Sequence, residues 1–260
     1  MRVYLALLLL FIGFAVAARP AGEYQRRGME QALLPSGEEA ADIGIYHERT
    51  MAMLGEERHA EALDRFEWFF SHALDYDSSL SGVRSSYFLS DWMEFGAIYP
   101  PALERLRAIR NELASQVIHS RGNIDQFGDV VDINWRLGEE EKTIALFERL
   151  MDEQPLLAPE YWLACEELFF RYKRYDVVKI FVPNPLEEFK NQLNVNAEII
   201  ALIRTSLAGD NAEREGNEGF LVYLTMDVMN YIKRMMDYAM ETGNTAAAYA
   251  MTDALYNVMK

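Results

Sequence analysis

Apolar residues fall at helical spacing from about residue 43 to the end of the chain, and no stretch alternates apolar and polar long enough to read as a strand. The pattern predicts helices over 43–54, 60–74 and 85–97, then from Pro100-Pro101 to a break at Arg121-Gly122-Asn123. Further helices are predicted over 124–137, 140–152, 159–172, 175–182, 185–208, 220–240 and 245–259. In 60–74 the residues Ala62, Phe66, Phe69, Phe70 and Ala73 share one broad face, as burial against neighbouring helices requires. Turn residues punctuate these runs: Gly55-Glu56-Glu57, Pro183-Asn184-Pro185 and Gly243-Asn244. Ser36 followed by Glu39 matches a capping box opening the first helix. The reading is all-α.

The periodic part has polar borders. Residues 1–18 form an expected signal peptide: Arg2, an apolar run over 3–14, then small residues, with cleavage after Ala17 or Ala18. An uncleaved N-terminal anchor is the alternative, and only then is membrane contact expected. Residues 19–41, with Pro20, Gly22, Pro35 and Gly37, read as a flexible tether. A helical domain is expected over 42–208, an acidic loop over 209–219, and a C-terminal helical hairpin over 220–260 packed on what precedes it.

One pattern is written twice. Trp135-Arg136 is followed by Gly138, and Phe170-Arg171, 35 residues later, by Lys173. That spacing lies in the range of helical repeats. An arginine beside an aromatic also offers a bidentate donor for carboxylates next to a flat apolar surface. Packing of the rings into the next hairpin, with the arginines as exposed ion-pair partners, is the competing reading. A second candidate cluster is Trp68, His72, Arg84 and Trp92, read either as a binding patch or as core and rim.

The formal charge of −16 in 260 residues argues against nucleic acid or an anionic membrane surface and in favour of a basic or neutral partner. Cys165 is the only cysteine, so no intrachain disulfide forms, and its apolar helical setting predicts a buried, inert thiol. An exported chain without disulfides suggests a periplasmic or secreted bacterial protein. The sequence carries no zinc-binding His pair, no phosphate loop and no nucleophile elbow. The segment 75–86 has Ser86 where a calcium loop needs a bidentate Glu. No catalytic residue, metal ligand or cofactor is therefore assigned.

Residues 124–157 carry the resemblance that organises these observations. Phe127, Val130, Gly138, Phe147 and Pro155 stand at the signature positions of a 34-residue helical hairpin, and the next unit supplies Trp162, Phe169, Tyr175 and Val178 in frame. The chain resembles the tetratricopeptide-repeat family in a degenerate form. Asn134 replaces the usual aromatic, Thr143 replaces the usual Ala, and the second unit stops early at Pro183. Earlier, Trp92, Phe95, Gly96 and Tyr99 keep the spacing of the family's first helix. The resemblance implies antiparallel helix hairpins stacked as a short α-solenoid, with first helices lining a concave face. A bundle or solenoid outside the family is the alternative. On that frame the partner-binding residues are His47 in the first unit, then Asp132, Trp135 and Arg136, then Glu167, Phe170 and Arg171. The expected function is non-catalytic binding of another protein or peptide, with envelope assembly as one setting. The rival is an all-α hydrolase or carbohydrate-processing accessory using dispersed carboxylates. Self-association through the Met- and Tyr-rich last hairpin is a third reading.

Overall fold

A computed structural model describes residues 33–120, 124–207 and 211–259. Every regular element among them is helical. In order these are α1 (Glu38–Ala41), α2 (Ile43–Gly55), α3 (His59–Tyr76), α4 (Ser81–Ser85), α5 (Tyr87–Ile98) and α6 (Pro100–Ser120), with a 3₁₀ turn at Ser78–Leu80. Then come α7 (Ile124–Leu137), α8 (Glu140–Glu153), α9 (Ala158–Arg171), α10 (Tyr175–Phe181), α11 (Pro185–Leu207), α12 (Asn211–Glu241) and α13 (Thr245–Met259). The expected signal peptide and most of the expected tether lie outside the described residues. No described helix is long and apolar enough to cross a membrane.

Several boundaries differ from the expected ones. The helix predicted over 85–97 is α5, which starts two residues later, and a separate short helix, α4, precedes it. Residues 38–41, expected as tether, are helical, and Glu39 is buried with its carboxylate on the Arg65 guanidinium at 2.6 Å. Its side chain is thereby taken out of a capping box, and no side chain caps α1. The segment expected as an acidic loop over 209–219 is helical from Asn211 onward, where Ala212, Glu213, Arg214 and Glu215 outweigh two glycines in helix preference. Other expected signals act as written. Asn184 accepts from the Glu187 N–H at 3.3 Å and caps α11, whose first residue is Pro185. Asp77 accepts from the Ser79 N–H, making a turn of the segment tested as a calcium loop.

The chain divides into two compact units, Met1–Ala108 and Ile109–Lys260. The boundary falls inside α6, and thus inside the span 42–208 expected as one domain. In the first unit α2, α3 and α5 enclose an aromatic core. Phe66 and Phe88 have ring centres 5.1 Å apart, Phe69 and Phe88 4.7 Å, and Trp92 packs edge-on to both Phe66 and Phe88. The fully buried Trp92 donates Nε1–H to the Ala102 carbonyl at 3.0 Å, satisfying its one polar atom. Only Tyr99 separates α5 from α6, so the two helices meet closely at Gly96. A Cβ there would lie 2.3 Å from Leu103 Cγ. Gly96→Ala is therefore expected to destabilise the first unit by about 2 kcal/mol despite alanine's better helix propensity, measured by denaturant titration.

In the second unit, α7 with α8 and α9 with α10 form successive hairpins, and α7 also contacts α9. The long helix α12 packs on α9, α11 and α13. Phe127, Phe147, Tyr161, Trp162, Phe169 and Val178 occupy the centre of the core, with Phe147 and Phe169 rings 5.0 Å apart. The hairpin turns share one geometry. Gly138 N–H bonds to Trp135 C=O and Glu139 N–H to Asn134 C=O, at 3.1 and 2.8 Å. The same pair of bonds joins Lys173 to Phe170 and Arg174 to Phe169, and again Gly243 to Met240 and Asn244 to Ala239. These are Schellman turns, each with its next-to-last residue in left-handed backbone: φ is 66° at Gly138, 52° at Lys173 and 80° at Gly243. In the first unit Glu57, with φ 60°, closes α2 in the same way.

Candidate functional cleft

Helix α7 turns Phe127, Val130, Ile133 and Asn134 into the core, which leaves Val131, Asp132 and Trp135 on the adjoining face. Helix α9 buries Tyr161, Trp162, Leu168 and Phe169 and presents Ala164, Glu167 and Arg171 beside them. The two faces enclose a cavity of about 250 Å³, with Glu140 and Thr143 of α8 at its end. Thus Asp132, Trp135, Glu167 and Arg171, chosen from sequence positions 35 apart, line one cleft. Trp135 is 51% exposed. The Arg136 guanidinium lies 4.4 Å from its ring centre and covers one face.

The two arginines do not act as free carboxylate donors. Arg136 stacks on its neighbour and does not line the cavity, and Arg171 already donates to Glu140 at 2.6 Å. Phe170, expected to face a ligand, is buried at 6%, with its ring edge-on to Tyr238 and the Arg234 guanidinium 5.2 Å from its centre. The reason is the arrival of α12, which covers this position on α9. His47 does not line this cleft. It sits beside the buried face of α2, within 6 Å of the Phe66, Phe69 and Phe88 rings, with Nε2 2.8 Å from an Asp91 carboxylate oxygen. The second cluster does not converge. Trp68 and His72, one turn apart on α3, stack on each other at 5.1 Å, Arg84 lies over Phe70, and Trp92 is in the core.

A buried polar network missed by sequence reasoning fixes the end of the cleft. Asn134 Nδ2 donates to Thr143 Oγ1 at 3.0 Å, and the buried Arg110 donates to Asn134 Oδ1 and to Glu139 at 3.0 Å. Asn134 and Thr143 are the two departures from the tetratricopeptide pattern, and they are each other's partners. Their co-occurrence was the available signal. Arg110, which completes the network from α6, had none.

Beyond α9 the cleft meets two further cavities. One, of about 360 Å³, is lined by Glu166, Glu167, Phe170, Glu188, Asp227, Tyr231 and Arg234 among others. The other, of about 320 Å³, is lined by Glu167, Phe170 and Arg171 with Lys173, Lys233, Arg234 and Asp237. Glu167 lines all three. Arg234 approaches Glu166 at 3.6 Å, and its Nε and the Tyr231 hydroxyl are buried without a hydrogen-bond partner. Burial raises the Glu166 carboxyl above the ordinary glutamate range, against the opposing pull of Arg234, with Glu188 and Glu167 adding to the rise. A raised carboxyl favours the fold in its protonated form, so its contribution is lost as the pH climbs through the folded value. Glu166→Gln is therefore expected to gain thermal stability over the parent as the pH is raised from about 4, and to match it below, in paired melting curves.

Cys165 lies at the floor of the cleft, 3% exposed, and burial pushes its thiol well above the ordinary value, consistent with an inert group. Among the described residues no group of His, Cys, Asp or Glu is placed to hold a metal ion. Comparison with known proteins finds no matching family model, no matching curated protein and no matching solved structure.

Proposed function

We propose that this chain is an exported, non-catalytic α-helical binding protein whose α7–α9 cleft takes a segment of another protein or a peptide. The observation that carries this is the convergence of Asp132, Trp135, Glu167 and Arg171 on one cleft, with the Trp135 ring half exposed and backed by Arg136. An aromatic held upright at a groove wall loses little freedom on binding and offers a large apolar face, which favours it as an anchor. The hairpins fit a short solenoid of tetratricopeptide type, and what supports this is the Schellman turn repeated at Gly138 and Lys173 with α7 against α9. Trp135→Ala is expected to weaken partner binding at least fivefold, about 1 kcal/mol or more, with helicity and melting temperature unchanged. Partner capture from the native envelope by crosslinking, followed by titration of parent and variant, checks it. A loss of helicity in the variant would place Trp135 in the core and remove the reading.

A second reading is favoured by one feature, the raised Glu166 carboxyl beside Glu188 and Asp227 in a polar cavity. It is a hydrolase acting on a polar substrate such as a carbohydrate, with Glu166 as general acid. A glycosidase and hydrolase screen separates the two: turnover abolished by Glu166→Gln would select this reading, and its absence with a captured partner would select the first.

A further inference from the structure

The long helix α12 carries a row of six side chains along one side. Val222, Met226, Met229, Lys233, Met236 and Met240 follow one another at spacings of 4, 3, 4, 3 and 4, the heptad pattern of a helix that packs along a second helix. Val222, Met226, Met229 and Met240 are each more than half exposed, while Met236 is partly buried against the core. Another side of α12 is already occupied, since Val228, Ile232, Met235 and Ala239 are buried in the second unit. Four apolar side chains left in water on one stripe mark a docking face. The row has no carboxylate although 41 of the 260 residues are Asp or Glu, so two copies of this acidic chain can approach along it with little local repulsion.

We propose that the occupant of this face is a second copy of the chain, paired α12 to α12 and antiparallel about a two-fold axis at residue 231. The row is self-complementary about that point. Its members lie two, five and nine residues to either side, so Met229 meets Lys233 of the partner copy, Met226 meets Met236, and Val222 meets Met240. Every contact then occurs twice, as an isologous interface requires. Lys233 decides the direction. A parallel pair would set the two Lys233 ammonium groups opposite each other in one layer. The antiparallel pair instead sets each aliphatic stem on a methionine and leaves its ammonium on Asp237 of its own helix, to which it donates at 2.6 Å. At the flank, the exposed Tyr223 of one copy comes level with Asp237 of the other, a hydroxyl donor for a carboxylate. Closing the row together with Tyr223 and the Lys233 stem buries on the order of 700 Å² per copy, near the ~800 Å² per partner of a standard interface.

The test is sedimentation velocity on the full chain from about 1 to 100 μM, because interfaces near this size bind in the micromolar range or more tightly. A reversible dimer is expected. Met229→Glu, present twice beside the axis, is expected to weaken it at least about tenfold with helicity unchanged. Leu156→Glu, at a 92% exposed leucine between α8 and α9, is the control and is expected to leave the dimer as it is. Direction is read with a short bismaleimide. In the antiparallel pair the two residues 222 stand about 27 Å apart at ~1.5 Å of rise per residue. Val222→Cys alone and Met240→Cys alone should therefore not crosslink, whereas an equal mixture of the two should. Cys165, buried in the second unit, stays out of the reaction. A chain that remains monomeric throughout, or a dimer indifferent to Met229→Glu, would overturn the proposal, as would an equal loss with Leu156→Glu. Crosslinking of Val222→Cys to itself, with none between the two variants, would overturn the antiparallel register.

Discussion

Glu39→Ala is expected to destabilise the first unit by about 3 kcal/mol. The Glu39 carboxylate and the Arg65 guanidinium are 2.6 Å apart and both side chains are 8% exposed. Arg65 also donates to Thr50 Oγ1 and the Tyr46 carbonyl, and stacks 3.6 Å from the centre of the Tyr46 ring. Removing the carboxylate leaves a buried cation with neutral acceptors only, which is the costly half of breaking an ion pair. The effect stays at the low end of the usual 3–5 kcal/mol because α1 is four residues long and can peel away to admit water. Denaturant titration followed by Tyr and Trp fluorescence measures it. Adding Arg65→Met to Glu39→Ala should recover much of the loss, since the orphaned charge is gone. A double variant no more stable than Glu39→Ala would show that α1 is merely attached to the surface.

Arg110→Ala is expected to cost the second unit about 3 kcal/mol. Arg110 is 3% exposed, and its loss leaves Asn134 Oδ1 buried without a donor while emptying the space of a long aliphatic stem. Glu139 suffers less because Lys142 still holds it at 2.6 Å. The combination Arg110→Met/Asn134→Leu/Thr143→Ala replaces the whole network with apolar groups and is expected to return close to parental stability, because unpaired members rather than missing polarity cause the loss. Urea titration of the single and triple variants checks both statements. A triple variant as unstable as Arg110→Ala would mean the network contributes geometry that apolar packing cannot replace.

Much of the architecture was legible in the chain because its signals are local. Helical spacing, Pro100, Pro183, Asn184 and Pro185, and the glycines at 138 and 243 act over a few residues, so the sequence alone placed most helix boundaries. The doubled Trp135-Arg136 and Phe170-Arg171 was legible for the same reason: a 35-residue period repeats a local turn, and Gly138 and Lys173 adopt it alike. The misplaced first boundary has a distant cause. Glu39 could cap its own helix or reach Arg65, and only the position of α3, 26 residues away, decides.

The faces of those elements depend on what arrives from elsewhere. Trp135 and Phe170 hold equivalent positions, yet one is half exposed and the other buried, because α12 covers the second and no described helix covers the first in this way. Arg136 and Arg171 read as equal donors, yet one stacks on its neighbour and the other is taken up by Glu140. By itself the sequence determined an all-helical chain with a repeated hairpin and an acidic surface, since helix periodicity, turn chemistry and net charge are sums over near neighbours. Only the tertiary structure decided that Asp132, Trp135, Glu167 and Arg171 share a cleft, that His47 packs among three phenylalanine rings and that Phe170 is buried. Those outcomes depend on contacts between helices far apart in the chain, where one neighbour's arrival buries a ring or neutralises a charge.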